Sequence, residues 1–209
     1  MTNMTKLVKV AVLLLAATAS GCGEYVDQGR SPARVIINTL EASRGSAPDD
    51  FGNPLSSDVL TNVTSPDPCT TSSPCPTVFN DLGQVTMSLV LRDPGVPGLA
   101  ASPSSLNQVT FTRYRVEYKR TDGRATQGVD VPYAFDSGIT FTVPSSGNIT
   151  ASFELVRSVA KGEAPLRALV TNRDQIATIA YVTFYGRDLA GNDVAVTGTI
   201  AVNFGNFGD

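Results

Sequence analysis

The chain contains three cysteines and no histidine, which limits the chemistry that its 209 residues can perform. Histidine is the commonest general base and the commonest side-chain ligand of metals in proteins. Its absence excludes a Ser-His-Asp or Cys-His catalytic site and a histidine-ligated zinc site in this sequence. The reactive side chains that remain are the thiols of Cys22, Cys69 and Cys75 and scattered carboxylates. We therefore predict a protein that is not an enzyme and holds no cofactor.

Cys22 follows a segment with the regions of a secretory signal peptide. A basic start with Lys6 and Lys9 is followed by an apolar run over 10–17 and then by small residues. This order predicts a signal peptide over 1–21. The apolar run is shorter than the roughly 20 residues that a transmembrane helix needs. The sequence therefore predicts export without a transmembrane span.

Two kinds of processing compete at the end of this segment. A general signal peptidase would cut after the small residues and release a soluble protein. The sequence Ala-Ser-Gly-Cys-Gly over 19–23 resembles the lipobox of bacterial lipoproteins, in which the cysteine is acylated and becomes the new N-terminus. Ala19 stands where that family usually has leucine. The resemblance implies lipidation of Cys22, and because Gly23 is not aspartate, an outer-membrane lipoprotein of the cell envelope.

Cys69 and Cys75 form the remaining even pair once Cys22 is assigned to lipid. They flank a short Thr, Ser and Pro segment, and in an oxidising envelope this spacing favours a disulfide-closed loop. The alternative is a redox or metal pair. Such pairs normally have about two to four intervening residues and further ligands, so we favour the structural disulfide.

Asp188, Asn192 and Asp193 place three oxygen-bearing side chains in one turn. Calcium needs about six to eight oxygen ligands, so these residues make only a weak calcium candidate and we favour an ordinary turn. No metal site is therefore predicted. No spacing singles out the paired acids that a carboxylate-only hydrolase needs, and that enzyme class is the least favoured alternative.

Arg113, Arg115 and Lys119 alternate along one segment, and Tyr181 and Tyr185 lie on another. A charged strand face is usually the wet side of an antiparallel sheet, and the tyrosines are explained as core or edge packing. The alternative is that these five residues form an interaction surface. A chain with a net charge of -3 and no basic cluster lacks the charge pattern of nucleic-acid binding, so no nucleic-acid partner is predicted.

These residues lie on segments with the two-residue period of β-strands. The predicted strands cover 35–41, 85–92, 109–119, 139–143, 149–155, 180–185 and 194–204. Phe111 and Tyr114 have opposite parity, which predicts a bulge near Thr112. Asp122-Gly123 predicts the tight turn of a hairpin. The segment 158–171 contains helix-forming residues, but its glycine and proline argue against a long helix.

The C-terminal turn carries a family resemblance. Asp-Leu-Ala-Gly-Asn over 188–192 resembles the Asp-x-Ala-Gly-Asn turn that joins the last two strands of bacterial immunoglobulin-like and fibronectin type III-like domains. Arg-Val-Glu-Tyr over 115–118 resembles their central strand. The tryptophan and the inter-sheet disulfide of antibody domains are missing. The resemblance implies an all-β fold, a single immunoglobulin-like antiparallel β-sandwich of about seven strands.

The predicted organisation is a signal peptide over 1–21, a lipidated tether over 22–34, and an immunoglobulin-like sandwich over 35–209 with a long disulfide-closed loop at about 44–84. The favoured function is a non-enzymatic envelope lipoprotein, held to the membrane by its lipid, that serves as a protein-interaction, adhesion or structural accessory module. A glycan- or calcium-binding module, using the loop and the turn at 188–193, is the second hypothesis. The carboxylate-only hydrolase is the third.

Overall fold

The structure is a computed structural model that describes residues 31–93, 95–96 and 98–208. The predicted signal peptide, Cys22 and the tether up to residue 30 lie outside the described residues. The described part is all-β and has two larger sheets and two small hairpins. No helix within it is long and apolar enough to cross a membrane.

The described strands are numbered in chain order. They are β1 (Ala33–Ser43), β2 (Leu55–Asp58), β3 (Thr61–Val63), β4 (Cys75–Thr77), β5 (Asp81–Leu91), β6 (Gly95–Val96), β7 (Leu99–Ala100), β8 (Val109–Arg120), β9 (Phe135–Val143), β10 (Asn148–Val156), β11 (Ile176–Asp188) and β12 (Asp193–Gly205). One larger sheet has the order β1-β5-β10 and the other has the order β2-β12-β11-β8-β9. Their ladders are antiparallel except for the β12–β2 pair, which is parallel. The strands predicted from alternation are confirmed.

Alternation along the strands buries one face of each larger sheet. On β5, Val85, Met87 and Leu89 are buried, and on β11 the even-numbered residues from 176 to 184 are buried. The two buried faces belong to one hydrophobic core. Removing a large aliphatic or aromatic side chain from water contributes about 1.5–3 kcal/mol, so this shared core is the main source of stability.

Aromatic rings join the two larger sheets across the core. Phe153 of β10 contacts Tyr114 of β8, with ring centroids 5.2 Å apart, and Phe184 of β11, with centroids 5.3 Å apart. Both contacts are edge-on, the geometry that aromatic quadrupoles favour. Contacts of this kind between the inner faces give the protein its sandwich-like arrangement.

Two glycines leave room for close contacts between strands, one with side chains of the facing sheet and one with a neighbouring backbone. A Cβ on Gly198 of β12 would lie 2.9 Å from Ile37 and Leu40 side-chain carbons of β1. A Cβ on Gly186 of β11 would overlap the Thr110 carbonyl of β8. Beside Gly186 the register of β8 shifts, because Thr112 is skipped against both β11 and β9. The predicted bulge near Thr112 is confirmed.

The predicted hairpin turn at Asp122-Gly123 closes differently from the expectation. The turn itself forms, since the Gly123 N–H donates to the Arg120 carbonyl at 3.0 Å and Gly123 has φ +90°. The second strand of the hairpin, β9, nevertheless begins only at Phe135. In the connection between β8 and β9, the Val131 side chain is fully buried in the core. The connection is long because it includes this core residue.

The segment at 44–84, predicted as a long loop, contains β2, β3, β4 and the start of β5. With β2, the two larger sheets have eight described strands, one more than the predicted seven. β2 has only four residues, too few to show alternation, and it forms because Leu55 and Val59 are buried beside the end of β12.

Between β10 and β11 lie only the short helix α1 (Ser158–Lys161) and a 3₁₀ turn (Leu166–Val170), as the sequence predicts.

Candidate functional site

The structure brings the five candidate interaction residues together on one outer face. β8 and β11 are neighbours, and their register places Arg113 opposite Tyr185. Odd-numbered residues of both strands from 113 to 119 and from 177 to 185 face away from the core, because the intervening residues are buried. We call the surface formed by Arg113, Arg115, Lys119, Tyr181 and Tyr185 the Tyr–Arg face. The tyrosines are therefore outside the core, contrary to the interpretation that we favoured from sequence.

Cations lie over both tyrosine rings of the Tyr–Arg face. The guanidinium carbon of Arg113 is 4.1 Å from the Tyr185 ring centroid, and Nζ of Lys119 is 4.8 Å from the Tyr181 ring centroid. Cations within about 6 Å of an aromatic ring are attracted by its quadrupole, by roughly 0.5–1 kcal/mol at exposed sites. The contacts favour these positions of the long cationic side chains across the sheet.

Carboxylates of neighbouring residues hydrogen-bond to Arg113 and Arg115. Asp136 of β9 accepts a hydrogen bond from Arg113 at 2.7 Å and one from Arg115 at 2.6 Å, and Arg115 also donates to Glu117 at 2.9 Å. The hydrogen bonds to Glu117 and Asp136 raise the pKa of Arg115 above its ordinary value, so this guanidinium stays charged. Charge-assisted pairs with this geometry restrict side-chain orientation.

An open depression of about 340 Å³ adjoins Tyr185 at one end of the Tyr–Arg face. It is lined by Arg113, Tyr185, Gly186, Asp193, Val194 and Ala195. Small-molecule sites typically occupy about 300–1,000 Å³, so this depression is at the lower limit. An aromatic ring, a guanidinium and a carboxylate converge there. Together they could contact the apolar side and the hydroxyl groups of one small polar ligand.

The calcium candidates form a self-contained turn. The Asp188 carboxylate accepts hydrogen bonds from the Ala190 and Asn192 backbone N–H groups and from Asn192 Nδ2, all at 2.9 Å. Burial by itself raises the pKa of Asp188, but hydrogen bonds from Asn192, Ser31 and Ala190 outweigh it, and the pKa is lowered. Asp193 instead accepts from Arg187 Nε at 2.7 Å. These contacts support the role of a turn.

Other candidate metal ligands and the cysteines are also placed. In the described part of the chain, no three or more Asp, Glu or Cys side chains are grouped so that they could hold a metal ion. Cys69 and Cys75 are joined by a disulfide with a Cα–Cα distance of 5.3 Å. It closes the loop before β4. The predicted structural disulfide is therefore present, and neither thiol is free for redox or metal chemistry.

Sequence reasoning missed a buried ion pair. Nζ of Lys161 on α1 lies 2.9 Å from Asp81 at the start of β5, and both side chains are 1 % exposed. Asp81 also accepts hydrogen bonds from the Gly45 N–H and the Ser57 hydroxyl. No local pattern marks these residues, because the pair joins distant parts of the chain. With its oxygens held by protein donors and closed off from solvent, Asp81 is placed for structure and not for catalysis.

The charge of Asp81 also acts on a buried tyrosine, Tyr118. The Tyr118 hydroxyl of β8 donates to the Leu155 carbonyl of β10 at 2.5 Å, which links the two larger sheets. Burial first, and the negative charge of Asp81 second, raise the pKa of Tyr118. The phenol therefore stays neutral and serves as a hydrogen-bond donor in the core.

Comparison with known proteins finds no family model that matches the chain and no similar sequence among curated proteins. The function must therefore be inferred from the residues and their geometry. The Tyr–Arg face is the feature that can be tested most directly.

Proposed function

We propose that the protein is a non-enzymatic, membrane-anchored lipoprotein of the bacterial envelope, with lipid on Cys22. Its immunoglobulin-like domain binds an envelope protein through the Tyr–Arg face. The observation that carries this proposal is the gathering of Arg113, Arg115, Lys119, Tyr181 and Tyr185 on a single outward face, with a cation over each tyrosine ring.

The composition of the face favours a protein partner. Tyrosine and arginine are enriched at interfaces and among the residues that contribute most of the binding energy. Arg113 and Lys119 already lie over the two tyrosine rings, so little side-chain entropy is lost when a partner docks. One face of each ring is covered by these cations, which leaves less ring surface open to stacking against a sugar.

The size of the face favours a small or transient interface. Neighbouring strands are about 4.8 Å apart, and each residue advances about 3.3 Å along its strand. A sheet face that is four strands wide and eight residues long therefore has an area of roughly 500 Å². A standard stable interface buries about 800 Å² on each partner. The sheet face alone is smaller than that, so we expect weak binding that the membrane anchor supports by keeping both partners on one surface.

The cysteines support the anchor. The Cys69–Cys75 disulfide accounts for two of the three thiols, which leaves Cys22, in the lipobox-like sequence, as the one available for acylation. Gly23, which stands after the cysteine where aspartate would signal inner-membrane retention, supports an outer-membrane location.

The turn over 188–192 joins β11 and β12, the position expected from its resemblance to immunoglobulin-like and fibronectin type III-like domains.

The anchor is tested by mass spectrometry of the N-terminal peptide of the protein extracted from membranes. We expect a chain that begins at Cys22 and carries the mass of attached acyl chains. A free thiol at Cys22, or a mature chain that begins at another residue, would overturn the lipoprotein proposal. Cys22→Ser should release the protein from the membrane fraction.

The interaction is tested by affinity purification from solubilised membranes. The double variant Tyr181→Ala/Tyr185→Ala should lose a defined protein partner, and truncating a hot-spot residue typically weakens binding by about 2 kcal/mol, or roughly 30-fold. Tyr133→Ala is the matched control, because Tyr133 is 51 % exposed but lies in the connection between β8 and β9. Recovery of the same partner by all three proteins, or of no partner by the wild type, would count against the proposal.

A glycan ligand is the second candidate, favoured by the depression beside Tyr185. Its convergent ring, guanidinium and carboxylate suit a hydroxylated ring of about one sugar unit. Thermal melting of the wild type with a panel of neutral and acidic oligosaccharides should then raise the melting temperature, and Tyr185→Ala should abolish that rise. The same rise in both proteins, or no rise with any sugar, would reject this candidate.

A further inference from the structure

The first described residue marks one end of the sandwich. The Ser31 carbonyl accepts a hydrogen bond from Arg92 Nε at 2.9 Å, and the Ser31 side chain hydrogen-bonds to the Asp188 carboxylate. Asp188 lies opposite Val109, the first residue of β8. The start of β1, the end of β5, the start of β8 and the end of β11 therefore meet where the chain enters the domain. We call this the entry end.

Exposed apolar side chains gather at the entry end. Val96 and Leu99 face each other across the β6–β7 hairpin, in the connection that follows Arg92. Leu106 lies in the 3₁₀ turn just before β8, and Leu189 directly follows Asp188. These four side chains are between 62 and 77 % exposed, and Leu99 and Leu106 are the most exposed large apolar residues of the described chain.

The opposite end is less apolar. Among the described residues, the large apolar side chains that are more than 60 % exposed also include Val129 and Val159. Val129 lies in the connection after β8 and Val159 lies on α1. Single exposed apolar residues are ordinary on a protein surface. The unusual feature is that three leucines from two separate connections are exposed together where the chain enters.

The length of chain before Ser31 indicates what covers these leucines. Nine residue steps separate Ser31 from Cys22, and an extended chain advances at most about 3.3–3.6 Å per step, so a lipid on Cys22 holds the entry end within roughly 30 Å of the bilayer. β8 runs away from that end for about 36 Å at 3.3 Å per residue. The anchor therefore keeps the entry end at a high effective concentration near lipid.

We propose that the entry end is a lipid-contacting surface: Val96, Leu99, Leu106 and Leu189 dip into the interfacial region of the bilayer that anchors Cys22. This inference rests on the proposed lipid anchor. The contact orients the domain upright, with the strands rising from the membrane and the Tyr–Arg face accessible from the side. Because the contacting residues are apolar and not basic, the contact does not depend on anionic lipids.

Tryptophan fluorescence tests the orientation, since the chain contains no tryptophan. Leu99→Trp and Leu106→Trp place a single reporter at the entry end. Val129→Trp and Val159→Trp are the matched controls, with similar exposure at the opposite end. Each full-length acylated variant is reconstituted into zwitterionic phosphatidylcholine vesicles with and without brominated acyl chains. The controls are needed because tryptophan has its own affinity for membrane interfaces.

We expect a blue shift of the emission, and its loss in brominated vesicles, for the reporters at 99 and 106, and neither change for those at 129 and 159. Equal quenching at both ends, quenching only at 129 and 159, or none in an acylated chain would overturn the inference and leave the anchor intact. The mass of the N-terminal peptide identifies an unacylated chain. That result removes the anchor, and with it this orientation, whatever the fluorescence shows.

Discussion

Replacing Lys161 with methionine would leave a carboxylate stranded in the protein interior. Methionine keeps a long, flexible side chain of similar shape but removes the ammonium that lies 2.9 Å from Asp81. The carboxylate then keeps only the Gly45 N–H and the Ser57 hydroxyl as donors. Because Asp81 is 1 % exposed, water cannot take the place of the missing cation.

The expected cost follows from this burial. Removing one partner of a buried ion pair typically destabilises a protein by about 3–5 kcal/mol, since an uncompensated charge remains in the interior. For a domain of about 150–250 residues, each kcal/mol lowers the melting temperature by roughly 2–4 °C. Lys161→Met should therefore lower the melting temperature by about 6–20 °C.

A double-mutant cycle separates the charge effect from packing. The free energy of unfolding is measured by urea denaturation, followed by circular dichroism, for Lys161→Met, Asp81→Asn and the double variant. Each single variant leaves one buried charge unpaired. The double variant is neutral, and the amide at position 81 keeps Oδ1 to accept from the Gly45 N–H and gains Nδ2 to donate to the Ser57 hydroxyl. We expect the double variant to be more stable than either single variant.

Two results would refute the reasoning about this pair. The first is a loss of less than about 1 kcal/mol in the free energy of unfolding of Lys161→Met, which is the range of an exposed ion pair. The second is a loss in the double variant equal to the sum of the two single losses, which would show that the two side chains are not coupled.

Three further perturbations test other parts of the fold. Gly186→Ala should destabilise the protein by about 1–3 kcal/mol, as overpacking does, because the new Cβ overlaps the backbone carbonyl of Thr110. Asp188→Asn should lower stability at neutral pH. Because the folded pKa of Asp188 is lowered, this difference is full above the ordinary carboxyl pKa of about 3.9 and disappears as the pH falls through the folded value. Cys69→Ser/Cys75→Ser should cost about 2 kcal/mol, the chain entropy of so short a loop.

Each of these predictions has a control on the same chain. Gly138→Ala should leave stability unchanged or slightly raised, since a Cβ there meets nothing within 4 Å. Equal effects at Gly138 and Gly186 would show that the bulge does not require glycine. Asp49→Asn, at an exposed position, should show no loss that depends on pH. Reduction of the wild type should reproduce the loss seen without the disulfide, and no loss in either case would contradict the entropic estimate.

The sequence alone predicted most strands because a strand imposes its two-residue period locally. Val85, Met87 and Leu89 showed which side of β5 is apolar, and the change of parity near Thr112 showed the bulge. Turn chemistry at 188–192 and the pairing of Cys69 with Cys75 were equally local, since each depends on residues a few positions apart. The carboxylate of Asp188 reaches its donors within its own turn.

The tertiary structure alone decided which strands became neighbours and which polar residues were buried. Tyr181 and Tyr185 could have faced either way until pairing with β8 set them opposite charged residues on the outer face. Lys161 is buried against Asp81 although nothing in its local sequence distinguishes it from a surface lysine. The physical reason is that period and turn propensity act over a few residues, whereas burial of a charge depends on partners that only chain closure brings within hydrogen-bond distance.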